Sequence, residues 1–158
     1  MRFLYIVLLA CLGNGIFAQI PKTTLAELEA RAESNPDTLF IYNFWATWCR
    51  PCVEEMPHFD QVSKDLDSLP VQVVFVSLDL PSEYGQRLPQ FLKKRKFHAQ
   101  ALWLDEPKIQ TKIDLVSQEW SGAIPATLFI RKSQGLRKFH EGDYSLESLR
   151  IEVLSMNP

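Results

Sequence analysis

The chain holds three cysteines, and two of them, Cys49 and Cys52, stand close together in the stretch NFWATWCRPC at positions 43–52. That stretch follows the apolar run TLFIY directly, so a strand gives way to a helix there. Cys49 ends the turn and Cys52 lies one helical turn further on, within reach of a disulfide. Pro51 suits the first helical turn, where backbone amides have no partner inside the helix. The helix N-terminus carries partial positive charge and Arg50 adds a full one, and both favour a thiolate at Cys49. An unperturbed cysteine, with a pKa of about 8.5, is mostly protonated at neutral pH, so this setting makes Cys49 the attacking sulfur. Cys52, deeper in the helix, is the resolving sulfur, and the pair cycles between dithiol and disulfide with no metal, flavin or nucleotide as cofactor.

Two other uses of the pair are weaker. A disulfide stabilises more the longer the loop it closes, and this loop is nearly the smallest there can be. Zinc needs four ligands, yet the chain has no second cysteine pair, and His58, His98 and His140 are scattered singly. Each histidine is expected as a surface or half-buried polar residue, and no metal site is expected.

The elements that position the cysteines follow from periodicity. TTLAELEARAESN at 23–35 is a short amphipathic helix with Thr23 or Thr24 as N-cap and Asn35-Pro36-Asp37 as its stop. TLFIYNFWA at 38–46 and VQVVFVSLD at 71–79 are apolar enough for strands buried on both faces, the first of them central. Between them, apolar positions Val53, Met56, Phe59, Val62 and Leu66 recur at helical spacing from Arg50 onward, with a bend expected at Pro57. Strand, helix, strand implies a right-handed parallel crossover. Further helices are predicted over 85–97 and, opened by Pro107, over 107–115, with a short strand at 100–104 between them. Two antiparallel strands follow, ATLFI and LRKFHEG, joined through Ser133, Gln134 and Gly135, and an amphipathic helix over 145–156 closes the chain. The order predicts an α/β fold with a central mixed sheet flanked by helices.

The first eighteen residues, MRFLYIVLLACLGNGIFA, have the layout of a secretory signal peptide, with an apolar run too short for a spanning helix. The expectation is therefore a signal peptide at 1–18, cleavage after Ala18, and one domain over 19–158. An alternative exported reading takes Leu8-Leu9-Ala10-Cys11 as a lipoprotein processing site, attaching the protein to a membrane through a lipidated Cys11. Removing residues 1–18 leaves 16 basic and 19 acidic residues, which offers no broad positive field for nucleic acid. KKRK at 93–96 reads as a solvated helix end. Trp45, Trp103 and Trp120 read as packing residues, whereas Trp48 stands beside the sulfurs to shape a docking surface.

FWATWCRPC resembles the active-site segment of the thioredoxin superfamily, and in particular the TlpA-like extracytoplasmic thiol-disulfide oxidoreductases; GAIPATLFI at 122–130 is a second, independent match. The resemblance covers roughly residues 36–155 and implies a thioredoxin-like fold, with the helix and strand around 86–104 as a TlpA-like insertion. It implies a cis bond at Ile124-Pro125 against the cysteine pair, where the Ile124 backbone could hold an extended partner segment by strand addition. Asn43 stands where thioredoxin itself usually has a buried acid, and Glu55, three residues after Cys52, looks TlpA-like. A partly desolvated carboxylate there would exchange a proton with Cys52; the alternative is a solvated Glu55 on the helix face. The segment 19–37 reads as one helix and departs from the extra N-terminal hairpin of many TlpA-like proteins. QEWSG at 118–122 precedes the proline loop and is expected to line the same groove.

The reading is an exported, periplasmic or otherwise extracytoplasmic enzyme that exchanges disulfides with protein partners, more as reductant than oxidant. Its expected partners are protein thiols or disulfides and a redox partner protein such as a membrane electron donor. Cys49, Cys52 and Glu55 carry the chemistry, and Trp48, Arg50, Pro51, Ile124 and Pro125 hold the partner. Two alternatives stand beside it: a peroxiredoxin-like thiol peroxidase, and a non-enzymatic peptide-binding module on the same fold.

Overall fold

The structure is a computed structural model that describes residues 20–156. The expected signal peptide, its cleavage point and Cys11 lie outside the described residues. One six-stranded sheet runs through the molecule in the order β1-β4-β3-β2-β5-β6. Its strands are β1 (Lys22–Thr23), β2 (Leu39–Trp45), β3 (Val71–Ser77), β4 (Gln100–Leu104), β5 (Ala126–Arg131) and β6 (Leu136–Glu141). Strands β1 to β4 all run parallel; β5 pairs antiparallel with β2, and β6, antiparallel to β5, returns to the direction of the first four. This mixed sheet with helices on both faces is the thioredoxin-like arrangement.

Strand β2 is buried along its whole length, and its alternation divides the core. Leu39, Ile41 and Trp45 face a cluster that includes Met56, Phe59, Phe75, Phe129, Leu149 and Val153. Phe40, Tyr42 and Phe44 face the other cluster, with Leu28, Val74, Val76, Leu128 and Trp120. The first face is covered by α2 (Arg50–Asp65), α4 (Arg87–Arg95) and α5 (Leu146–Ser155), the second by α1 (Leu25–Ser34). Helix α1 starts in a capping box in which Thr24 and Glu27 satisfy each other's backbone amides. A cavity of about 660 Å³ opens on the second face, between Leu25, Leu28, Tyr42, Phe44 and Phe139, away from the cysteines. No helix among the described residues is long and apolar enough to cross a membrane.

Three elements differ from the sequence expectation. The segment before α1 contains a strand as well as a helix, because Lys22 and Thr23 pair with Trp103 and Leu104. The helix expected over 85–97 is shorter: a single turn, α3 (Pro81–Tyr84), precedes α4, which Lys96 closes at φ 52. The helix expected over 107–115 is instead two 3-10 turns, Ile109–Thr111 and Ile113–Leu115. Lys108 takes φ 57, left-handed backbone that no α-helix continues through. The β-branched Ile109, Thr111 and Ile113 then give little reason to re-enter one. Helix α2, by contrast, runs unbroken through Pro57.

Helix α2 carries both cysteines, so its seat on the sheet matters. The buried Asp60 is one anchor: Oδ1 accepts from the backbone amides of His98 at 2.5 Å and Ala99 at 3.0 Å, and Oδ2 pairs with Lys64 at 2.7 Å. Replacing it would strand the buried Ala99 amide at the entry to β4. Asp60→Ala is expected to lower unfolding free energy by about 2 to 3 kcal/mol in a denaturant titration, and Asp60→Asn, which keeps an acceptor, by less than half of that. Equal losses in the two variants would contradict this anchor.

Candidate active site

Beyond Trp45 the chain leaves β2 in a tight turn, with the Cys49 amide donating to the Ala46 carbonyl at 3.1 Å. Cys49 is the N-cap of α2: its backbone is extended, and its Sγ accepts from the Cys52 amide at 3.3 Å. Pro51 fills the first turn, where its missing amide proton leaves no bond unmade. The sulfurs are joined, with an S–S length of 2.02 Å and Cα atoms 5.3 Å apart. They are not equivalent: Cys49 retains 6% exposure, whereas Cys52 is fully enclosed. An attacking group approaching from solvent meets Cys49 first.

The second loop arrives from β5. Antiparallel pairing sets Phe44 opposite Ala126, so the residues just before Ala126 lie beside the turn that follows β2. The Ile124-Pro125 bond is cis, and the Ile124 carbonyl oxygen lies 3.7 Å from Cys49 Sγ. The Pro125 carbonyl accepts from the Gly142 amide at 2.9 Å, which ties this loop to the end of β6. Of residues 118–122, expected along the groove, the tryptophan packs elsewhere. Trp120 is buried against Phe44 and Phe139 in the second core, and its indole donates to the Ala123 carbonyl at 2.7 Å. Ser121 is held by Glu141. This segment supports the proline loop from behind.

Around the sulfurs, Trp48 is 53% exposed and Pro51 is exposed. Arg50 is also exposed, but its guanidinium is paired with Glu54 at 2.8 Å, one turn along α2. Its charge at Cys49 is therefore partly offset and further screened by solvent.

Glu55 is not on a solvated face. It is 2% exposed, one helical turn beyond Cys52. Oε1 accepts from Asn43 Nδ2 at 2.8 Å and Oε2 from the Tyr144 amide at 2.8 Å. Burial pushes its pKa up to about 7, with nearby Asp143 adding to the rise; the two donors oppose it and do not cancel it. Asn43 also reaches Thr127 Oγ1 at 3.3 Å, and its own Oδ1 has no hydrogen-bond partner. The histidines lie apart. His58 Nδ1 meets the Tyr144 carbonyl at 2.9 Å, His98 faces Asp67, and His140 packs on the Tyr144 ring. Among the described residues no three potential ligands converge on a metal position.

Sequence reasoning missed the contribution of Tyr144, which acts through a backbone amide and leaves no mark in side-chain pattern. It also missed the buried Asp79, whose bonds reach the turn before Cys49. The only local sign was an acid placed directly after an otherwise apolar strand.

Known proteins are similar to this chain in sequence and fold. The thiol-disulfide oxidoreductase ResA of Geobacillus thermodenitrificans is 27% identical over 171 residues, spanning 97% of this chain and 92% of its own. A thioredoxin-related protein from Neisseria meningitidis serogroup B superposes with a TM-score of 0.63 at 26% identity, over 74% of this chain and 83% of its own. A secreted disulfide oxidoreductase of Mycobacterium tuberculosis has the same fold, with a TM-score of 0.59 at 21% identity over 87% of this chain and 96% of its own. The AhpC/TSA family profile matches residues 19–139. That match, with a Cys-x-x-Cys pair at a strand-to-helix turn on a thioredoxin-like sheet, makes this chain a member of the AhpC/TSA family and a thioredoxin-like thiol-disulfide oxidoreductase.

Proposed function

We propose that the protein is an exported enzyme that reduces disulfides in extracytoplasmic protein partners. The observation that carries this reading is the meeting of Cys49 Sγ with the Ile124 carbonyl at a cis-proline loop, while the second sulfur is sealed inside. In the reduced enzyme the Cys49 thiolate attacks one sulfur of a partner disulfide. A mixed disulfide forms, the partner's S–S bond breaks, and its other sulfur leaves as a thiolate. Cys52 then gives up its proton and attacks Cys49 Sγ, releasing the second partner sulfur and closing the Cys49–Cys52 bond. Two electrons pass to the partner, and a separate redox partner protein returns them. The Ile124 backbone offers hydrogen bonds to an extended partner segment, and Trp48, Arg50 and Pro51 form the rim on which it lies.

Glu55 is the acceptor for the Cys52 proton in this scheme. A pKa of about 7 lets it hold or release that proton near neutral pH. Asn43 serves both states: Nδ2 donates to the carboxylate, and a turned amide would offer Oδ1 to the carboxylic acid. Ionised Glu55 also opposes a thiolate nearby, and Arg50 is drawn toward Glu54. Weak thiolate stabilisation leaves the dithiol form less favoured, which makes the pair a reductant. Export is supported by the sequence pattern of residues 1–18 and by the secreted relative from M. tuberculosis.

Two measurements test this reading. The reduced domain is expected to turn over a protein disulfide in the presence of a thiol reductant, with activity lost in Cys49→Ser and a stable mixed disulfide trapped by Cys52→Ser. Equal turnover in Cys49→Ser, or peroxide consumption in place of disulfide exchange, would overturn it. The second concerns Glu55 and pH. The folded protein keeps this proton up to about pH 7 and the unfolded chain only to about 4.5, so ionisation opposes folding. Stability of the oxidised protein should be greatest below about pH 4.5 as far as this group is concerned, and should fall by about 3 kcal/mol as pH rises past 7. Urea titrations should show that fall flattened in Glu55→Gln; an identical pH slope in that variant would remove Glu55 as its source.

A further inference from the structure

Asp79 is a buried carboxylate that the exchange scheme does not use. It is 3% exposed and sits two residues past the end of β3. The paired ladder between β2 and β3 ends at Trp45 opposite Ser77, and the Leu78 amide adds one more bond, to the Trp45 carbonyl at 2.7 Å. From there the two chains separate, and the Asp79 side chain bridges the gap. Its Oδ1 accepts from Thr47 Oγ1 at 2.5 Å and from the Thr47 amide at 3.1 Å, and Oδ2 lies 3.2 Å from the same amide. Oδ2 also accepts from Ser77 Oγ at 2.7 Å.

The backbone of Asp79 is fixed as well. Its amide donates to Ser77 Oγ at 3.1 Å, and its carbonyl accepts from the Trp103 indole of β4 at 2.7 Å. A desolvated carboxylate is costly unless hydrogen-bonded, and here every donor to it comes from Ser77 or Thr47. Thr47 lies inside the turn closed by the Cys49 amide and the Ala46 carbonyl, two residues from the sulfur. A line of bonds thus runs from Trp103 through Asp79 to the turn that presents Cys49 as the helix cap.

We infer that Asp79 is a positioning residue for thiol-disulfide exchange: it holds the Ala46–Cys49 turn so that Cys49 Sγ lies over the first turn of α2 and against the Ile124 carbonyl. The inference rests on the proposed role of Cys49 as the attacking sulfur. Asparagine fits the same place. Its Oδ1 accepts from Thr47, and its Nδ2 donates to Ser77 Oγ, so geometry is retained while the charge is lost.

Charge and geometry act in opposite directions on the sulfur. Loss of a nearby negative charge alone would make the Cys49 thiol more acidic in both Asp79→Asn and Asp79→Ala. Loss of the turn takes the sulfur away from the helix N-terminus and makes the thiol less acidic, in Asp79→Ala alone.

The test reads the pH dependence of Cys49 alkylation by iodoacetamide, in a Cys11→Ser, Cys52→Ser background so that one thiol reports. It is paired with kcat/KM for disulfide exchange in the two-cysteine enzyme. Asp79→Ala is expected to move the alkylation midpoint up by about half a pH unit and to lower kcat/KM about tenfold or more, with Asp79→Asn restoring both. An unchanged or lower midpoint in Asp79→Ala, whatever its melting temperature, overturns the inference. If Asp79→Ala does not fold, the near-isosteric Thr47→Val removes one of the bonds. It should shift the midpoint in the same direction with a loss of about threefold in kcat/KM, and no shift there overturns the inference instead. Alkylation needs no partner, so its outcome stays separate from a failure of the wild-type protein to exchange disulfides, which would overturn the proposed function and not the turn's effect on the sulfur.

Discussion

The site depends on the way β2 pairs with its two neighbours. β3 runs parallel to it and β5 antiparallel, so the end of β2, the end of β3 and the beginning of β5 all emerge at one edge of the sheet. Each delivers one part: the cysteine turn after Trp45, Asp79 after Ser77, and the cis-proline loop before Ala126. A one-residue slip between β2 and β5 would turn the inward side chains of one strand outward and carry the Ile124 carbonyl off the sulfur. Burial of β2 on both faces by large apolar residues fixes that register, because a slip would break up two cores together.

Three buried carboxylates on or near the cysteine-bearing face show how partners decide what such a group can do. Asp60 has two backbone amides and the ammonium of Lys64; Asp79 has an amide and two hydroxyls and is held within one local network. Glu55 has only two neutral donors, an amide side chain and a backbone N–H, with Asp143 adding like charge. Desolvation then outweighs what the donors return, and its proton affinity moves into the neutral range. The first two arrangements suit fixed anchors. The third suits a group that exchanges a proton, and it lies on the helix that carries both sulfurs.

The cysteine pair, the long buried strands and the helices that cover them were legible because their signals are local: an apolar run, a 3.6-residue repeat, a proline after a cysteine. Glu55 was legible only by resemblance, since its place in α2 reads equally as a solvated face until Tyr144 and Asn43 are folded against it. Strand β1 was not legible at all. Two residues carry no period, and their partners Trp103 and Leu104 lie about eighty residues away. Residues 107–115 misled for the opposite reason, since proline followed by spaced apolar positions imitates a helix start while Lys108 turns left-handed. QEWSG was assigned to the groove by nearness in sequence, yet its tryptophan packs against Phe44 and Phe139 in the opposite core.

The unequal setting of the two sulfurs also bears on partner choice. Only Cys49 meets solvent, and what surrounds it is short of long-range attraction: Trp48 and Pro51 are uncharged, and Arg50 is paired with Glu54. The chain as a whole has a formal charge of only −2. Electrostatic steering adds little under those conditions, and selection falls to short-range fit. Under the proposed function, the partner disulfide is presented in an extended segment whose backbone meets Ile124 and brings one of its sulfurs into line with Cys49. A compact partner whose disulfide is enclosed by its own fold cannot meet that demand. On that proposal, discrimination falls on the local conformation of the partner around its cysteines more than on the partner's overall surface.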